Sequence, residues 1–132
     1  MSIEGGCHCG RVRYAVAAAR LDDVAVCHCT ACRGTSGGTH MTWATVPAAA
    51  FQWTRGTPKP YRSSDHGTRW FCPDCGTQMA FATSRTPARI DIAVTTTDTA
   101  AAHPPTRHVW LKSKLPWVVP EPGRVREDEE TL

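Results

Sequence analysis

Phe71-Cys72-Pro73-Asp74-Cys75-Gly76-Thr77-Gln78-Met79-Ala80-Phe81 is the stretch on which the fold turns. Its two thiols stand three positions apart. The proline stiffens the turn between them, and Gly76 permits the left-handed backbone that aims amides at the sulfurs. A Cys-x-x-Cys turn of this kind is either a metal knuckle or a redox dithiol. A thioredoxin-like dithiol opens a helix, whereas Thr77–Phe81 reads as strand. The stretch therefore predicts a metal-binding knuckle that feeds a β-sheet. It supplies two ligands, so a closed site must draw two more from elsewhere in the chain.

Working outward, strand signals recur at intervals of roughly ten residues, the mark of an all-β domain. Val12, Tyr14 and Val16 alternate with Arg11 and Arg13, as a half-buried strand requires. Met41, Trp43 and Thr45 alternate with His40, Thr42 and Ala44. Further strands are expected over Asp22–Cys27, Phe51–Trp53, Arg69–Phe71, Arg89–Val94 and His108–Leu111. Pro47, Gly56, Pro58, Pro60, Gly67 and Pro87 punctuate them. Helix signals are poor, because Ala15–Arg20 and Ala48–Ala50 are too short or too interrupted to carry an amphipathic stripe. After Trp117 the chain turns proline- and charge-rich. The expected organisation is one zinc-binding domain over 1–120 and a charged, flexible tail over 121–132, frayed from Gly123 onward.

A chain of 132 residues suffices for one domain that buries about two-thirds of its unfolded surface. No stretch is apolar enough to cross a membrane, and Met1–Gly6 lacks the basic and apolar regions of a secretory signal. The formal charge is only +3, with the arginines scattered, so the basic stripe of a nucleic-acid binder is missing. Seven cysteines are the informative excess. An odd count cannot pair completely, and with no export signal the expectation is reduced thiols in the cytoplasm.

The thiols form three groups: Cys7 and Cys9; Cys27, Cys29 and Cys32; Cys72 and Cys75. Tetrahedral zinc with Zn–S of ~2.3 Å sets sulfurs about 3.8 Å apart, a separation both Cys-x-Cys and Cys-x-x-Cys can reach. Spacing alone leaves two partners open for Cys72 and Cys75: Cys7 with Cys9, or two members of the central triplet. Only the triplet can supply three ligands from one loop, which favours Cys7, Cys9, Cys72 and Cys75 against Cys27, Cys29 and Cys32. Four thiolates close a structural site; three leave a position for water or substrate, as catalytic zinc does. His28, His40, His66 and His108 could each supply a fourth ligand to the triplet, but a lone histidine is more often a structural residue than a ligand, so none of them is the expected one. The five tryptophans read as packing residues, and Arg33, Arg62 and Arg69 as solvated surface before they read as anion partners.

These pieces resemble the glutathione-dependent formaldehyde-activating family, which also includes centromere protein V. The resemblance runs through Gly5–Tyr14, Cys27–Arg33, Phe51–Gly56, Phe71–Gly76 and His108–Trp110 with Leu115–Trp117. It implies a β-tent fold of small antiparallel sheets joined through a structural zinc. It also implies Cys7, Cys9, Cys72 and Cys75 as structural ligands and Cys27, Cys29 and Cys32 as the active-site, catalytic zinc ligands. The implied reaction joins glutathione to formaldehyde, the reverse of a carbon–sulfur lyase. Zinc at two sites, the second more labile, and a small thiol such as glutathione are the expected cofactor and substrate; neither nucleic acid nor membrane is expected as a partner. The competing expectation is a non-catalytic, zinc-stabilised binding module whose triplet metal is closed by a histidine.

Overall fold

A computed structural model describes residues 1–131 of the chain. The strands are β1 (Ile3–Gly6), β2 (Arg13–Val16), β3 (Asp23–Cys27), β4 (Met41–Pro47), β5 (Phe51–Arg55), β6 (Lys59–Arg62), β7 (Gly67–Phe71), β8 (Gln78–Thr83), β9 (Arg89–Ala93), β10 (Arg107–Val109) and β11 (Val125–Arg126). One short helix, α1 (Thr30–Ser36), lies between β3 and β4. The all-β expectation holds. Two sheets form, one of three strands in the order β1-β2-β5 and one of eight in the order β11-β10-β3-β4-β9-β8-β7-β6. Pairing is antiparallel except at β10, which runs parallel to both β3 and β11. No helix among the described residues is long and apolar enough to cross a membrane.

The central strands of the large sheet are buried on both faces, and the period-2 alternation assigns their side chains. Val24, Ala44, Val46 and Ile92 face the small sheet, where they pack with Tyr14, Val16 and Met79. Ala25, Cys27, Trp43 and Ala93 face the other way, into a second cluster with Cys32 and Val109. Tyr14 anchors the small sheet: its hydroxyl lies 2.8 Å from Thr96 Oγ1, and its ring stacks with Phe51. A Cβ on Gly5 would come within 2.5 Å of that hydroxyl, so the tyrosine can cross β1 only over a glycine.

Three features depart from the sequence reading. The triplet's expected loop contains α1. Cys29 takes the N-cap position, its sulfur accepting from the Cys32 N–H at 3.3 Å, and Gly37 ends the helix with φ of 73°. Pro60, read as punctuation, lies within β6, an edge strand where its missing donor costs no ladder bond. The segment expected to fray is tied down instead. β11 pairs with β10, and Arg107 Nη1 donates to Glu127 Oε2 at 2.9 Å while also reaching Glu130 and Asp23. The cation that holds this segment lies on β10, outside the window whose composition suggested disorder. Leu132, the last residue of the expected tail, lies outside the described residues.

Candidate functional site

The first cluster gathers the ends of two strands from different sheets. Cys7 and Cys9 follow β1, Cys72 and Cys75 follow β7, and one ligand atom from each lies within 4.8 Å of the others. Cys7 Sγ stands 3.5 Å from Cys9 Sγ, which stands 3.7 Å from Cys72 Sγ, close to the edge of a tetrathiolate tetrahedron. Backbone amides point at the sulfurs: Val12 N–H at Cys7, and Asp74 and Cys75 N–H at Cys72. Such donors are what a four-thiolate centre with its surplus negative charge requires. Thr77 adds to them, and its hydrogen bond holds the Cys75 thiol down at about 5. All seven thiols are free.

The second cluster is built at the junction of β3 and α1. Cys27 ends the strand, Cys29 caps the helix and Cys32 lies in its first turn, with ligand atoms again within 4.8 Å of one another. Among the described residues no histidine or carboxylate joins this group. His28, between two of the cysteines, instead lies Nε2 to Nδ1 at 3.1 Å from His108, whose ring it stacks on, with the His40 ring tilted against it at 5.4 Å. Burial pushes His28 down to about 4, so its imidazole is neutral near pH 7. The contact between Cys27 and Cys29 holds the Cys29 thiol well below its ordinary value and pushes that of Cys27 up.

Around these sulfurs stand residues the sequence did not assign to the site. Trp43 Nε1 donates to Cys32 Sγ at 3.3 Å. Arg69, expected at the surface, is 5 % exposed. Its guanidinium lies 4.9 Å from the centroid of Phe81 and 5.9 Å from that of Trp43, with Nη2 at 3.8 Å from Cys32 Sγ. Gln78 Oε1 accepts from its Nη1 and Ser63 Oγ from its Nε. A buried cation is tolerable here because thiols, a carbonyl oxygen and two aromatic faces surround it. Among the described residues Arg62 by contrast reaches only the Asp65 carbonyl at the surface, and Arg33 is half-buried. The signal available for Arg69 was its inward position in the β7 alternation.

The three sulfurs line a cavity of about 120 Å³, walled by Trp43, Phe81 and Trp110 and reached at one end by Asp91 and Glu130. A larger cavity of about 300 Å³ adjoins it, sharing Thr45, Phe81, Asp91 and Glu130. On the far side of Arg69 an open groove of about 610 Å³ runs past Tyr61, Thr35 and Gln78. Dry walls, clustered thiols and one buried cation suit chemistry on a small polar group attached to a larger molecule held outside.

Fold and site together define an all-β protein with two cysteine clusters of metal-binding geometry, one closed and one opening on a cavity. The family model described as glutathione-dependent formaldehyde-activating enzyme matches residues 2–113, and the chain belongs to that family. Among similar proteins, one from Halomonas elongata named "Putative glutathione-dependent formaldehyde-activating enzyme" is 29% identical over 126 residues, covering 89% of this chain and 80% of its own length. A crystal structure of a Rhodobacter sphaeroides protein has the same fold, with a TM-score of 0.61 at 23% identity, covering 94% of this chain and 98% of that one.

Proposed function

We propose that the chain is a zinc-dependent enzyme of the carbon–sulfur lyase type, making or breaking the bond between a small thiol and a one-carbon aldehyde. Glutathione and formaldehyde are the proposed pair, in keeping with the name of the Halomonas relative. The observation that carries the reading is the triplet itself: three thiols converge at the end of a cavity, with no fourth protein donor in their group among the described residues. A binding module would want that site closed.

Cys7, Cys9, Cys72 and Cys75 would hold the structural zinc, and Cys27, Cys29 and Cys32 the active-site zinc. Their sulfur spacing and amide donors suit a tetrahedral, thiolate-bound ion. When bound, such an ion lowers the pKa of a thiol or polarises a carbonyl oxygen. The protein's own groups supply the rest. Arg69 offsets the negative charge that gathers at Cys32, and Trp43 holds that sulfur in place through its N–H. Trp43, Phe81 and Trp110 exclude water, which strengthens each charge interaction inside. A space of about 120 Å³ admits a one-carbon unit and a sulfur, leaving a peptide body in the open groove beside Arg69. Seven reduced thiols fit work in the cytoplasm.

Exchange spectroscopy on glutathione, formaldehyde and their adduct, with zinc analysis of the same sample, tests the proposal. Two zinc ions per chain and faster exchange between free and adduct forms are expected. A fully zinc-loaded protein that leaves the exchange rate unchanged would refute it.

A further inference from the structure

We propose that Asp91 is the acid–base group of this site, passing one proton to and from the oxygen of the one-carbon unit. The inference deepens the lyase reading and rests on it.

Sheet register puts Asp91 there. Asp23 pairs with Thr45, Thr45 with Asp91, Asp91 with Phe81 and Phe81 with Arg69. Paired residues share a face, so this row crosses five strands on one side of the sheet. Ala93, two residues from Asp91, packs with Cys27, Cys32 and Trp43 on that same side. Asp91 therefore looks into the sulfur-lined cavity from the end opposite the basic Arg69, and it also lines the larger cavity that gives solvent access.

A purely structural aspartate in such a place would have a cation. The cation that acts on it most, Arg107, is taken by Asp23, Glu127 and Glu130. Asp91 has one hydrogen bond among the described residues, from Thr45 Oγ1 to Oδ1 at 2.6 Å. Oδ2 is left for a ligand. Asp23 on β3 and Glu130 on the C-terminal segment face Asp91 with like charge, while Arg107 on β10 and Arg89 on its own strand oppose them. Withdrawal from water outweighs these and pushes the Asp91 carboxyl up to about 6. A carboxyl poised there can both give and take a proton near neutrality.

The step balances without a further reactant. In the adduct-forming direction the substrate thiolate's electron pair forms the S–C bond, and the C=O π pair moves to oxygen. The proton of the Asp91 carboxyl passes to that oxygen, leaving S–CH₂–OH and a carboxylate. Solvent in the larger cavity returns the proton. In reverse, the carboxylate takes the hydroxyl proton as the C–S bond breaks to thiolate and aldehyde.

Asp91→Asn in the zinc-loaded protein, with glutathione and formaldehyde as probes, tests this. General acid–base groups contribute about 10²–10⁴-fold, so adduct exchange should fall by roughly 10²–10³-fold with zinc content unchanged. The variant's pH profile should lose the limb near neutrality. Thr45→Val, which removes the bond that favours the carboxylate, should move that limb to higher pH. A ¹³C titration of the Asp91 carboxyl reads the group without any turnover. Its midpoint should lie above the ordinary aspartate range, and its shift should move when glutathione and formaldehyde are added. Should Asp91→Asn fail to fold, the Thr45→Val profile and the ¹³C titration decide. A wild-type protein that accelerates exchange, beside an Asp91→Asn variant with equal rate and profile, overturns this proposal alone. An ordinary ¹³C midpoint also overturns it. A wild-type protein that accelerates nothing overturns the lyase reading and this proposal together.

Discussion

The four thiols at positions 7, 9, 72 and 75 lie between two sheets, while those at 27, 29 and 32 lie on one face of one sheet. The first group joins Cys9 to Cys72 across 63 positions, and two of its members, Cys9 and Cys75, are exposed. The second spans a single strand–helix junction, and Cys27 and Cys32 are buried. Burial and structural importance thus run in opposite directions. The more exposed cluster is the one whose loss would free a long loop, because what a metal contributes to folding depends on the chain it closes. The buried cluster closes almost nothing, and its burial serves a cavity.

Breaking the first cluster should have the largest effect. Cys72→Ser removes a fully buried thiol, and serine is a poor zinc ligand at neutral pH. Structural zinc can contribute ~10 kcal/mol, so the variant should be insoluble or melt on the order of 10 °C or more lower. Thermal melts with zinc analysis check it. Cys29→Ser is the counterpart. Serine is among the best N-cap residues, so α1 keeps its cap and the fold should lose no more than about 1 kcal/mol. The structural zinc should stay, the second zinc should be lost and adduct exchange should vanish. If Cys29→Ser unfolds while Cys72→Ser stays folded and metal-loaded, the roles of the clusters are reversed.

A milder probe sharpens the same contrast. Titration with a weak chelator should release one zinc per chain with far-UV circular dichroism unchanged, and a second only with unfolding. Release of both in one step coincident with unfolding would remove the distinction. The smallest effect concerns the cavity. Asp91 is held above its unfolded value, so the folded protein binds this proton more tightly than the unfolded chain. The resulting stability is fully present below the ordinary aspartate range and is lost as pH rises through about 6. Relative to Asp91→Asn, the wild type should therefore gain on the order of 1 kcal/mol between pH 7 and pH 4.5, discounted for partial exposure. Paired denaturant titrations at the two pH values measure it.

Much of the fold was legible because its signals are local. The alternation of Met41, Trp43 and Thr45 marks β4 with the faces it shows in the structure, and Gly76 after Cys75 has the left-handed backbone its position called for, with φ of 81°. Helix α1 escaped because its cap is a cysteine in place of the usual serine, threonine or aspartate, and seven residues are too few for a periodic stripe. Arg69 and the C-terminal segment escaped for a different reason. Residue type and composition place both in solvent, and each is reversed by partners distant in sequence: Cys32, Trp43 and Phe81 for the arginine, and Arg107 for the segment.

The sequence by itself determined which neighbouring thiols could share a metal, since Cys-x-Cys and Cys-x-x-Cys limit sulfur separations within a few bonds of the chain. It determined the all-β class as well, through a period written into each short run. Only the tertiary structure decided what surrounds the triplet. Trp43, Arg69 and Asp91 reach the same cavity because four strands pair in one register, and a slip of one residue in any pair would turn that strand's side chains to the other face. Register is set by packing between residues far apart in the chain, so no local pattern could have brought a carboxyl and a guanidinium to opposite ends of a thiol-lined cavity.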